Sequence, residues 1–164
     1  MKVEFDVNLE QKHIFKFSMR QAYKGAQGLL SVMVPAIILG RLYVYYGQMD
    51  ISQILIHVGL GILFILYVPV SLWLSAKRTL KKNSELSNTL HFVFSENAIS
   101  VMQGEEKAEF QWENIYRMIS TRELVLIYTN RINAYIIPRK QMGTQYAELK
   151  QLASKKLEKY RCKM

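Results

Sequence analysis

Hydrophobic and polar positions change their period several times along this chain. In "KVEFDVNL" the residues Val3, Phe5, Val7 and Leu9 alternate with polar ones, which predicts a half-buried strand. "KHIFKFSMRQAYK" then places Lys12, Lys16, Arg20 and Lys24 at four-residue steps beside a line of Phe15, Met19, Ala22 and Ala26, which predicts an amphipathic helix. Two apolar runs follow at 25–46 and 51–76. Alternation returns in short runs at 90–94, 98–102, 107–112, 114–120, 123–129 and 132–138, broken by Ser95-Glu96-Asn97 and Gln103-Gly104. These predict an antiparallel, meandering sheet. Last, Leu149, Leu152, Lys156, Leu157 and Tyr160 recur at helical spacing behind a Thr144 cap, predicting a closing helix.

The two apolar runs set the organisation. "ISQILIHVGLGILFILYVPVSLWLSA" at 51–76 has no charged residue and exceeds the roughly 20 residues needed to cross hydrocarbon. Trp73, followed by Lys77 and Arg78, suits a membrane interface. The first run holds Pro35 and Arg41; Arg41 lies near enough to its end to snorkel beside Tyr43, Tyr45 and Tyr46, so Arg41 and Trp73 are expected as interface anchors. Only "GQMD" at 47–50 separates the runs, and so short a turn predicts an antiparallel hairpin. Gln27, Ser31 and Pro35 on one helix, and Gln53, His57 and Gly61 on the other, are expected to pack helix against helix. The resulting division is a strand and basic helix at 1–28, a transmembrane hairpin at 29–76, a polar linker or helix extension at 77–89, and a sheet domain at 90–164.

Charge sharpens this picture. The chain carries 22 Lys and Arg against 13 Asp and Glu, yet residues 29–76 hold only Arg41 and Asp50. Basic groups precede the hairpin, and Lys77, Arg78, Lys81 and Lys82 follow it, while its turn has none. The positive-inside bias therefore predicts that both termini are cytoplasmic. The stripe of Lys12, Lys16, Arg20 and Lys24 can lie on anionic head groups, gaining about 1 kcal/mol per cation, or form the solvated face of a helix packed on the cytoplasmic domain. Both readings stand. No cleaved signal peptide is expected, and the lone Cys162, which can form no internal disulfide, fits a reducing compartment.

Candidate chemistry is sparse. There is no H-E-x-x-H, paired C-x-x-C or Walker loop, and His13, His57 and His91 fall in different elements. Glu105, Glu106, Glu109 and Glu113 fit the wet positions of a strand, and Gly59-x-Gly61 fits close helix packing. Tyr128, Arg131 and Tyr135 could imitate a base-stacking patch, but their spacing fits sheet packing, and nucleic acid is not an expected partner. No catalytic residue, metal ligand or cofactor is expected.

Several stretches carry a family resemblance: the strand with Phe5, "FKFSMRQAY" before the apolar runs, "GEEKAEFQWENIYRM" with Trp112 and Ile115, and "LVLIYTNRINAYIIPRK" ending at Pro138, Arg139 and Lys140. Their order resembles the YcxB-like family of small bacterial membrane proteins across nearly the whole chain. The resemblance implies a C-terminal domain similar to the bacterial pleckstrin-homology-like (PH-like) fold; with the two apolar runs, a multi-pass place in the bacterial inner membrane is expected. The resemblance offers no catalytic residue. Phe5, Trp112, Ile115 and Pro138 are expected as structural core, and Arg139 and Lys140 as lipid or partner contacts or an ordinary wet loop. The expected whole is an α+β membrane protein, its two-helix hairpin inserted between an N-terminal strand with amphipathic helix and an antiparallel PH-like sheet with a terminal helix. Such a protein would act as a membrane-anchored interaction or regulatory module; the alternative is a transport-associated or self-protection factor. Expected partners are a bilayer with anionic head groups, a protein, and a second copy of the chain.

Overall fold

The structure is a computed structural model that describes residues 2–82 and 88–164. It forms two units, one joining Met1–Ile14 to Leu80–Met164 and the other covering Phe15–Thr79. Residues 83–87 of the expected 77–89 linker lie outside the described residues; the helix before them runs through Lys82.

In the first unit, β1 (Val3–Val7), β2 (Leu90–Phe94), β3 (Ala98–Gln103) and β4 (Glu106–Gln111) make one antiparallel sheet in chain order. Val3, Phe5 and Val7 face Phe94, Phe92 and Leu90 in register, so the inward-pointing residues of both strands share a face. The Phe5 ring stacks 6.0 Å from Phe92 and 5.6 Å from Phe94. Gly104, at φ +58°, supplies the left-handed backbone that lets β3 return tightly as β4.

The expected single meander is instead two sheets. A 3-10 turn at Trp112–Asn114 ends the β4 ladder, and the chain resumes as β5 (Arg117–Ser120), β6 (Leu124–Tyr128) and β7 (Ala134–Pro138). With β8 (Cys162–Lys163) these form a second sheet of order β7-β6-β5-β8. Here β8 runs parallel to β5, a departure from the antiparallel expectation. It needs no hairpin because a helix intervenes in the chain.

After β7 come two helices, α4 (Arg139–Met142) and α5 (Gln145–Lys156). Leu149, Leu152 and Ala153 of α5 enter one core with Phe5 and Phe92 of the first sheet, Val125 and Ile137 of the second, and Trp112 and Ile115 between the sheets in the chain. Two expectations fail at this helix. Thr144 has helical backbone and makes no side-chain cap bond, and the helix stops at Lys156, leaving Tyr160 exposed beyond it. The helix is also not the last element, since β8 follows it.

The helices are α1 (Gln11–Ala22), α2 (Ala26–Tyr45) and α3 (Ile51–Lys82), and the second unit covers most of their length. A side chain at Gly28 would meet Tyr23 Cα at 2.4 Å and the Ala22 carbonyl at 2.7 Å, so the turn from α1 into α2 requires glycine. Asp50 and Gln53 cap α3 reciprocally: the Gln53 N–H donates to Asp50 Oδ1 at 2.7 Å, and the Asp50 N–H donates to Gln53 Oε1 at 3.3 Å. Pro35 and Pro69 lie inside α2 and α3. Gly28–Gln48 and α3 are long and apolar enough to cross a membrane, and only 11% of the apolar window of each is buried, unlike the core helix of a soluble domain.

Candidate functional site

The residues expected at a membrane surface are set out along α1 and the end of α3. Lys12, Lys16 and Lys24 are exposed, as are Lys77, Arg78, Lys81 and Lys82, while Arg20 is half-buried with its Nε enclosed. Lys12 reaches Glu10 at 2.7 Å, and its ammonium holds that carboxyl below the ordinary carboxylate range. The Phe15 ring meets Trp73 edge-on at 5.3 Å, so the apolar line of α1 touches the aromatic expected at the interface. Arg41 is exposed among exposed Tyr43, Tyr45 and Tyr46.

The polar residues expected between the helices have varied positions. Ser31 Oγ donates to the Gly28 carbonyl of its own helix at 2.8 Å, and Pro35 is buried. Gln53 is spent on the α3 cap, and its carbonyl lies 2.8 Å from His57 Nδ1, again within one helix. Gly61 is buried, and a side chain there would touch Leu39 at 3.6 Å; this is the close approach of α2 to α3. The side chain of Gln27 lies outside the described residues.

In the sheet unit, Phe5, Trp112, Ile115 and Pro138 are all buried. The Trp112 indole N–H donates to the Ser95 carbonyl at 2.9 Å, tying the 3-10 turn to the β2–β3 connection. Pro138 lies opposite Leu124 and ends β7. Arg139 and Lys140 are exposed in α4, and the Arg139 guanidinium sits 4.0 Å above the Tyr146 ring.

Among the described residues, no group of three or more His, Cys, Asp or Glu side chains could hold a metal ion. A pocket of about 360 Å³ that sequence reasoning missed is lined by Tyr116, Arg117, Tyr160 and Arg161. The signal was present: the dipeptide Tyr-Arg occurs at 116–117 and again at 160–161.

Two sheets, a helix on their core and a pair of long apolar helices define a helix-and-sheet protein equipped for membrane association. A family model described as YcxB-like protein matches residues 94–153, so that segment is similar to the YcxB-like family. No curated protein and no solved structure matches it.

Proposed function

We propose that this protein is a membrane-anchored interaction or regulatory module. In this reading α2 and α3 cross the bacterial inner membrane as a hairpin and the two-sheet unit works at its cytoplasmic face. One observation carries the reading. β1 precedes the apolar helices and β2 follows them, yet Val3–Val7 pairs with Leu90–Phe94 residue for residue. Strands cannot exchange backbone hydrogen bonds through hydrocarbon, so the pairing favours an even number of crossings between them.

Other features support the same reading. Exposed Leu29, Leu30 and Ile37 on α2, and Ile51, Leu63 and Leu66 on α3, would otherwise present a large apolar surface to water. The basic groups on both flanks of the hairpin favour the cytoplasmic side and an anionic leaflet. Two sheets sharing a core with one helix resemble a PH-like domain, a scaffold for contacts rather than for a fixed reaction. Arg139, Lys140 and the stripe from Lys12 to Lys24 are the surface cations such a module would present.

The test is proximity labelling from the C-terminus of the full chain in native membranes, against a control tether of α2 and α3 alone. A reproducible set of cytoplasmic or inner-membrane proteins, absent from the control, is the expected result. Labelling indistinguishable from the control in every growth condition would remove the interaction role.

A further inference from the structure

The two Tyr-Arg pairs are brought together by the fold. β5 and β8 pair in parallel with Met118 opposite Cys162 and Ile119 opposite Lys163. Where this register begins, both Tyr-Arg pairs line one pocket. The Met118 N–H donates to the Arg161 carbonyl at 2.8 Å, fixing the alignment at the pocket.

The two arginines are held differently. Arg161 Nη2 donates to the Glu113 carbonyl at 2.7 Å and to the Ile115 carbonyl, and its Nε donates to the Tyr116 carbonyl at 3.4 Å. Those bonds orient the guanidinium without neutralising it and, among the described residues, leave Nη1 unused. The Arg117 guanidinium lies 4.6 Å over the Tyr128 ring and 5.5 Å from the Tyr116 ring. Its Nε is enclosed, and among the described residues it has no hydrogen-bond partner and Arg117 no ion pair. Buried donors left unmatched are costly, and adjacent like charges add to that cost.

Among the described residues no carboxylate lines the pocket. Glu113 contributes a backbone carbonyl to Arg161, and the neighbouring Glu158 carboxylate pushes the Tyr160 phenol above its ordinary value. Two cations and two aromatic walls therefore surround a space of small-ligand size.

We propose that this pocket binds a phosphate monoester, with Arg117 and Arg161 meeting the oxyanion and the Tyr116 and Tyr160 rings flanking the organic group attached to it. Guanidinium forks match phosphate oxygens, and a dianion neutralises both cations where a carboxylate would leave one unmatched. The ester is either a soluble metabolite or a lipid head group such as that of phosphatidic acid. The site stands on the sheet unit alone and does not depend on the membrane reading.

The experiment is calorimetric titration of phenyl phosphate into the full chain held in phosphatidylcholine nanodiscs, with benzoate as the monoanionic comparison. Saturable one-site binding of phenyl phosphate is expected, at least tenfold tighter than benzoate. Arg117→Gln should weaken it about tenfold or more, while Arg122→Gln, an exposed charge outside the pocket, should leave it unchanged. Tyr160 is exposed, so Tyr160→Ala tests the aromatic wall even if Arg117→Gln fails to fold; it should weaken phenyl phosphate more than inorganic phosphate. Doping the discs with phosphatidic acid should lower the apparent affinity if the ester is lipid-borne, and leave it unchanged if it is soluble. Absence of saturable binding, equal binding of benzoate, or undiminished binding by folded Arg117→Gln would overturn the proposal. If that variant does not fold, undiminished binding by Tyr160→Ala would do so.

Discussion

At Trp112 one side chain secures the corner where the first sheet ends. Its ring is 4% exposed and tilts against Phe94 at 6.3 Å, while its N–H holds the Ser95 carbonyl. Trp112→Ala should cost on the order of 3–5 kcal/mol through the cavity it leaves. Trp112→Phe keeps most of the packing but strands the Ser95 carbonyl, so its cost should be smaller, about 1–3 kcal/mol. Cys162 is the only cysteine and half-buried in β8, so its reactivity toward a thiol dye during heating reports unfolding of this unit. The melting temperature should fall from wild type to Trp112→Phe to Trp112→Ala; equal melting of all three would contradict the assigned role. Gly28 makes a sharper case in the helical unit, because even a methyl group there collides with the backbone of Ala22 and Tyr23. Gly28→Ala should turn α1 away and break the Phe15–Trp73 edge contact. In a Trp112→Phe background the emission of Trp73 should change, and an unaltered spectrum would contradict this.

Among the elements, β1 has most to do for its length. It is an edge strand with Val3, Phe5 and Val7 buried, and its exit is held where the Gln141 side chain accepts from the Asn8 N–H at 2.9 Å and donates to the Asn8 carbonyl at 3.0 Å. Removing residues 2–8 should leave an unpaired edge on β2 and an opened core. Hydrogen exchange at Leu90–Phe94 should then accelerate strongly, while residues 51–76 stay protected because they belong to a separate unit. Exchange that rises equally in both places would contradict the division.

Element type was legible where period and punctuation agreed, and β2 spans the same 90–94 run that its alternation marks. It was less legible at Trp112, because a 3-10 turn can keep a side chain inward after the ladder has ended. Helical spacing also carried Tyr160 past the true end of α5, since a matching period says nothing about where the chain turns back. The Tyr-Arg pocket was hidden for a stronger reason. Parallel pairing of β5 with β8 is set by the tertiary fold, and no local pattern in a two-residue strand announces its partner. Likewise Gln53 has the right face for helix packing, but Asp50 three residues earlier draws it into the cap.

At the scale of the molecule, a sheet begun before two apolar helices is completed after them, and hydrocarbon is the medium that suits what lies between. In the proposed hairpin, charge asymmetry would select the side of the bilayer that the sheet unit occupies. The direct measurement is labelling of single cysteines in intact cells by a membrane-impermeant maleimide. Cys162 is used as it stands, and Lys2→Cys and Gln48→Cys are each placed in a Cys162→Ser background. Position 48 should react at once, whereas positions 2 and 162 should react only after the inner membrane is opened. Reaction of position 2 and position 162 from opposite sides, or of all three only after opening, would contradict the account.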